Sequence, residues 1–557
     1  MTVAILVWFA LYYIYPYLVS YGHLRHVPGP FLAKFSNIWV GISAKHGQKY
    51  AAVDAAHRKH GNVVRIGFNH VSIADERALN IVYGHGNGFL KDHYYEAFVA
   101  RTPGMFNVRD RTEHTRKRKI ISHAFSPRSV AEFEPFMAEN LQRWITQLDR
   151  IAASQPSHKG KAFARYNAMP WFSYIAFDII GDLAFGSPFG MVDKGKDETE
   201  TQLVTGGPIT YTPAVDVLNR RGEVSSTLGL LPALRPWARY LPDPFFTKGV
   251  AAVENLTGIA VAAVASRLDA AEKGMVDSRN DILAHLLQAK DANGRPMERD
   301  ELIAEALTQL IAGSDTISNT ACGIFYWILH GDRSAPGTIV SRLQEELDHA
   351  IDPKAKIASY SEVKDLPFLR RCIDEAMRLH STSAIGLPRL VADHSLGVDF
   401  DGFHFPPGTV LSVPSYTIHH MKDIWGDDVE EFKPDRWLNL TARQKTAFNP
   451  FSHGPRACVG QNVAIMELQL IIGTLFHRYE FALYQPIIES HEGFSKKPKE
   501  CQAGLRLRES EIHNGIEHVH FRFRFSLTRF KSPYQRTYLQ AMEIPAQYPF
   551  RDKPRAP

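Results

Sequence analysis

From about residue 131 to residue 479, apolar side chains recur at three- and four-residue spacing. That period belongs to helices with one face in a core. It is clearest in residues 139–153 (ENLQRWITQLDRIAA), 256–273 (LTGIAVAAVASRLDAAEK) and 300–313 (DELIAEALTQLIAG). Shorter β-branched or alternating stretches flank this region, NVVRIGFNHVSIA at 62–74 and LGVDFDGFHFPPGTVLSVP at 396–414. Both predict strands, and Phe405-Pro406-Pro407-Gly408 predicts a turn inside the second. The pattern therefore predicts a mainly α fold with small β-sheets.

The two ends differ from the body. Residues 1–21, MTVAILVWFALYYIYPYLVSY, carry no charged side chain. About 20 apolar residues at 1.5 Å rise cross a ~30 Å hydrocarbon core, and the tyrosines suit an interface. Residues 1–22 are thus expected to anchor the chain in a membrane. His23, Arg25 and His26 follow, which favours a body on the cytoplasmic side. Pro28-Gly29-Pro30 then makes a stiff break, and 23–508 is expected to be the working body. Residues 509–557 read as a basic extension, partly disordered, with a strand-like alternation at 518–530 (HVHFRFRFSLTRF). A basic contact with a membrane surface is the sharper alternative for this tail.

Composition narrows the class. Among 557 residues, 45% are hydrophobic and 22% charged, which excludes a disordered or collagen-like chain. A mean hydropathy of −0.22 excludes a many-span membrane protein. The net charge is +5, and residues 506–557, with ten basic and five acidic side chains, account for all of it. No basic stripe with interleaved aromatics points to nucleic acid. The four cysteines, Cys322, Cys372, Cys458 and Cys501, are too sparse for a disulfide scaffold and fit a reducing compartment.

One cysteine has chemistry written around it. In Phe451-Ser452-His453-Gly454-Pro455-Arg456-Ala457-Cys458-Val459-Gly460, Gly454 permits a tight turn and Arg456 sets a permanent cation near the sulfur. Gly460 is expected to allow close approach of the next helix, roughly 463–479. That helix aims its N-terminal dipole at Cys458 and favours thiolate. A lone thiolate lacks the partners of a structural zinc site but suits the axial position on haem iron. Two further clusters break local rules. Ala312-Gly313-Ser314-Asp315-Thr316 sits mid-helix, where Gly, Ser, Asp and Thr are unfavourable. Glu375-Ala376-Met377-Arg378 places opposite charges on one helical face.

The cysteine segment matches F-x-x-G-x-R-x-C-x-G at all five fixed positions, a chance event on the order of 2 in 10,000 for the chain. The sequence thereby resembles the cytochrome P450 family over about residues 28–508. That resemblance implies a haem-thiolate monooxygenase with b-type haem (heme b) ligated by Cys458. It implies that Phe451 and Gly454 shape the ligand loop, and that His114, Arg118, Arg389 and Arg456 hold the haem propionates. His114 stands where the family usually has Trp. Thr316 is the implied proton-delivering hydroxyl with Asp315 behind it, and Ile317 replaces the usual Thr or Ser. Glu375 and Arg378 are implied to close a buried network with Arg436, a structural role. Of the 116–119 basic run, Arg118 is expected inside and its neighbours outside.

Longer stretches resemble fungal benzoate 4-monooxygenases: residues 106–111, 113–121, 176–186, 218–223, 380–389 and 411–416. This implies conversion of benzoate to 4-hydroxybenzoate with O2 and NADPH. It also implies electrons from a separate NADPH-cytochrome P450 reductase and residence in the endoplasmic reticulum membrane. A larger phenolic or phytoalexin-type substrate stays open, as does, more remotely, a non-catalytic haem-binding protein. Candidate anchors for a substrate carboxylate are Tyr94, Tyr95, Arg101 and Arg109. Pocket walls are expected from 310–316 and 383–387.

Overall fold

The structure is a computed structural model; it describes residue 11 and residues 14–154, 163–203, 206–272, 281–290, 294–334, 337–393 and 396–508. Most of the expected anchor and all of the 509–557 extension lie outside the described residues.

Eight helices position the site. In chain order they are α1 (Arg111–Ser122), α2 (Glu134–Ala153), α3 (Ala168–Phe185), α4 (Ala214–Leu230), α5 (Pro244–Glu272), α6 (Arg299–Ser334), α7 (Pro367–Leu379) and α8 (Gln461–Arg478). The three apolar periods of the sequence fall on α2, α5 and α6, the second running one residue past the described end of α5. At 1.5 Å per residue α6 runs about 54 Å, and it packs on α3, α5, α7 and α8. Asp300 and Glu301 in its first turn complement the helix dipole. α5 contains a stretch, Pro244–Asp269, apolar enough to cross a membrane by length and composition, but it packs on α4 and α6 within the body.

The larger sheet has five strands: β1 (Val63–Gly67), β2 (His70–Ile73), β3 (Leu90–Lys91), β4 (Arg389–Leu390) and β5 (Val410–Ser412). Their order is β1-β2-β5-β4-β3, all neighbours antiparallel except β2 and β5. The predicted 62–74 run is the β1–β2 hairpin. The predicted 396–414 run supplies the hairpin Val398–Phe400 with Phe403–Phe405, and then β5. The β3–β4 register sets Lys91 directly opposite Arg389. Like charges facing each other across a ladder are destabilising, so something must compensate them. The main core runs through α2, α3, α6 and α8, and a second core lies against this sheet.

Candidate active site

Gly454 holds φ +70°, and a Cβ there would stand 1.9 Å from the Tyr83 carbonyl oxygen. Only glycine fits that close, left-handed turn. The chain then doubles back, so that the Cys458 N–H donates to the Phe451 carbonyl at 2.9 Å. α8 starts directly after Gly460, earlier than the expected 463. Gly460 is not required by crowding, because a Cβ there would sit 3.8 Å from Phe125, an ordinary contact. What it contributes is a backbone N–H beside the Cys458 sulfur, which with the Arg118 cation favours thiolate. Burial is the larger influence and pushes the thiol up.

The Cys458 side chain is accessible yet enclosed by protein, because the space it faces is an internal cavity of about 280 Å3. Phe451, Arg456, Ala312, Asp315 and Thr316 also line it. Ala312 and Thr316, one turn apart in the middle of a helix otherwise packed in the core, are both exposed to this space. Gly313, on another face of α6, has no room for a side chain, since a Cβ would meet Ile180 of α3 at 2.6 Å. The Thr316 hydroxyl donates back to the Ala312 carbonyl at 2.6 Å, while α6 continues unbroken. Asp315 accepts from the Asn319 amide at 3.0 Å. Ile317 is 4% exposed and belongs to the core, although it also touches the cavity.

Beside the cysteine loop, cations converge. Arg456 lines the cavity and donates to the Val108 and Arg109 carbonyls at 2.7 and 3.2 Å. Arg118 donates to the Ala457 carbonyl at 2.6 Å. Arg389 donates to the Tyr95 hydroxyl at 3.0 Å, and its Nη2, fully buried, has no hydrogen-bond partner. Burial lowers Arg456 to about 10 and lowers Arg118. His114 is lowered to about 3 by burial and then by Arg456, Lys91, Arg118 and Arg389. Among the described residues, no carboxylate lies within 4.0 Å of any of these five side chains. A pair of carboxylates is the group that this set lacks. Haem carries two propionates, so the cluster and the bare thiol both fit haem.

Residues 27–505 match the family model described as Cytochrome P450. The chain belongs to the cytochrome P450 family. It is 52% identical over 502 residues to the benzoate 4-monooxygenase bphA of Aspergillus niger, covering 90% of this chain and 96% of that one. It is 28% identical to the cytochrome P450 monooxygenase poxM of Penicillium oxalicum, covering 84% and 85%. It is 27% identical to the cytochrome P450 monooxygenase cicH of Emericella nidulans, covering 88% and 95%. The chain is accordingly a monooxygenase of the haem-thiolate class, which works with O2 and an electron donor.

The sequence-predicted groups are placed unevenly. Glu375, Arg378 and Arg436 do meet, with Arg378 forked onto Glu375 at 2.9 Å twice and Arg436 reaching the same carboxylate at 3.2 Å. Thr316, Asp315, Cys458, Arg456 and Phe451 share the cavity. Of the expected walls, Ile311, Ala312, Ser383 and Leu387 line it. The substrate-anchor candidates fare less well. Tyr94 is buried against Ser226, Tyr95 serves Arg389, and Arg109 pairs with Glu96 at 2.6 Å. Arg101 lines the cavity but is exposed and bonded to the Leu203 carbonyl.

The expectation for the basic run fails at Lys117, which is 3% exposed. It is neutralised by Glu301 at 2.5 Å and Glu305 at 3.1 Å, both on α6. Lys91 and Arg221 were missed. The signal for Lys91 lay in a strand pairing that sets two cations opposite each other. Arg221 stood inside a stretch quoted only for its resemblance.

Proposed function

We propose that this monooxygenase converts benzoate to 4-hydroxybenzoate: benzoate, O2, NADPH and H+ give 4-hydroxybenzoate, water and NADP+. The observation that carries the substrate is 52% identity across nine tenths of the chain to a benzoate 4-monooxygenase. The cavity between Cys458 and the bare face of α6 supports the reaction class. Cys458 is the residue we assign to the iron. His114, Arg118, Arg389, Arg456 and Lys91 hold the propionates, and Phe451 and Gly454 set the loop. When bound, a thiolate-ligated haem supplies the oxidising power that places one oxygen atom from O2 on the ring.

The remaining work belongs to side chains. The Thr316 Oγ1 spends its proton on the Ala312 carbonyl, so it presents lone pairs to the cavity. Rotation of the hydroxyl about Cβ–Oγ1 would release that O–H from the carbonyl and let Thr316 donate into the cavity, directly or through a water. Asp315, also at the cavity wall, is placed to replace the proton. Ile317 beside it is apolar, which lowers the polarity next to that route without closing it. Electrons are assigned to NADPH-cytochrome P450 reductase. The uncharged segment 1–21 followed by His23, Arg25 and His26 supports an anchor at 1–22, a haem domain at 23–508 on the cytoplasmic side of the endoplasmic reticulum, and an extension at 509–557.

The test is a benzoate titration of purified holoprotein at the Soret band, then product analysis with reductase and NADPH. A low- to high-spin shift and 4-hydroxybenzoate are expected. Absence of both removes benzoate as the substrate and directs the search to larger phenolics. Thr316→Ala should keep the thiolate-haem spectrum and divert electrons to peroxide, lowering product per NADPH roughly tenfold or more. Wild-type coupling in that variant would remove Thr316 from proton delivery.

A further inference from the structure

Three cations line the cavity: Arg101, Arg221 and Arg456. Arg101 is exposed and held by the Leu203 carbonyl, and Arg456 belongs to the cluster beside the cysteine loop. Arg221, on α4, is 7% exposed. Its Nη2 donates to the Phe98 carbonyl at 2.9 Å, and its guanidinium lies 5.4 Å from the Phe98 ring centroid. Among the described residues, the protein takes no other of its five N–H donors, and no carboxylate lies within 4.0 Å. Burial lowers it to about 10, with Asp315 opposing from a distance, so it remains a cation at neutral pH.

The Phe98 ring that adjoins it is one of three. Phe98, Phe106 and Phe494 all line the cavity and pack edge-to-face on one another, with centroids 6.2, 5.1 and 5.3 Å apart. A buried guanidinium with unspent donors next to an aromatic trio matches an aryl carboxylate feature by feature. The carboxylate needs a cation or its burial is prohibitive, the guanidinium fork gives it two hydrogen bonds, and the ring packs edge-to-face.

We propose that Arg221 binds the carboxylate of the aromatic acid while Phe98, Phe106 and Phe494 enclose its ring. This rests on the reading of the substrate as benzoate. Held by its carboxylate, the ring keeps one orientation, and the carbon opposite the carboxylate is the one presented for hydroxylation.

The test uses haem-loaded wild type, Arg221→Gln and Arg221→Lys, with benzoate and the neutral benzamide as probes. In wild type, benzoate should bind on the order of 100-fold more tightly than benzamide. In Arg221→Gln, benzoate should weaken by a similar factor, on the order of 100-fold, while benzamide moves less than about threefold. Arg221→Lys should recover part of the loss, and the 4-hydroxy share of product should fall in Arg221→Gln. Equal wild-type affinity for the two probes overturns the assignment without any variant. So does benzoate affinity within about threefold of wild type in an Arg221→Gln protein that keeps the thiolate-haem spectrum. If that variant instead changed only the peroxide fraction, Arg221 would be a partner of Asp315 and the anchoring role would be wrong. No benzoate response in wild type overturns the substrate reading and this assignment together.

Discussion

At the start of the meander before the cysteine loop, Arg378 and Arg436 share Glu375. Beside the loop itself, Arg389, Arg456, Arg118, Lys91 and His114 share no carboxylate among the described residues. The first group is complete. Arg378 spends its five donors on Glu375 and on the carbonyls of His419, Val429 and Glu431, and Trp437 Nε1 donates to the second oxygen of Glu375 at 3.0 Å. The second group likewise gathers buried cationic side chains but has no anion, and its acceptors are backbone carbonyls and the Tyr95 hydroxyl. A buried charge is tolerated when paired and costs several kcal/mol when not. The closed cluster therefore reads as architecture. The open one is architecture with room for an anion: the Phe106 carbonyl and the Tyr95 and Phe106 rings meet Lys91 where the β3–β4 register sets it against Arg389, and no carboxylate among the described residues joins them.

The largest break of this contrast is Arg378→Ala. It takes the guanidinium fork from Glu375, leaving that carboxylate only Arg436, Trp437 and the Lys433 N–H, and it strands three carbonyls in a site with 0% exposure, so about 3–5 kcal/mol of stability should go with it. Urea unfolding and haem content report it; well-folded holoprotein in normal yield would overturn the structural role. Arg389→Met should act in the opposite sense. Stability without haem should change by less than about 1 kcal/mol or rise, because an unpaired buried cation is gone, while haem affinity falls about 10- to 100-fold. Apo-protein unfolding with haem titration separates the two. A loss of apo stability as large as that of Arg378→Ala would erase the distinction between the clusters.

How far the sequence carried this contrast depends on the reach of each pairing. Glu375 and Arg378 are three residues apart, and the cysteine loop is ten contiguous residues, so both could be read locally. The cluster Gly313, Ser314, Asp315 and Thr316 is conspicuous too, because it defies helix propensity, but propensity does not say that Ala312 and Thr316 form the face bared to the cavity. Lys117 was read as outside because its partners, Glu301 and Glu305, lie on α6 nearly two hundred residues away and show no period in the sequence. Arg109 is a candidate anchor by sequence, but Glu96, thirteen residues away in the chain, pairs with it at 2.6 Å. Arg221 sits on a helix whose apolar spacing gives no hint of a cavity. Side chains that meet through tertiary folding leave little local trace, and those are the ones that decide what the cavity holds.

The smallest expected effect separates the clusters by pH. His114 is depressed to about 3 by burial and four neighbouring cations, against an ordinary value of 6.5. The folded form stays unprotonated where the unfolded chain takes up a proton. Its contribution to stability is thus fully present above pH 6.5 and is lost as pH falls from there toward 3. Without haem this adds a slope of up to about 1 kcal/mol per pH unit below 6.5. His57, His70 and His419 are also depressed by burial, to about 4, 3 and 3, and they contribute a background slope to any variant. His114→Gln isolates the term by difference. Urea midpoints between pH 7.5 and 5.5 should fall less steeply in the variant than in wild type, both without haem. With haem bound, two carboxylates among the cations offset the part of the depression that those cations cause, and the difference between the proteins should shrink. If it is as large with haem as without, the anion that completes this cluster is not the one haem brings.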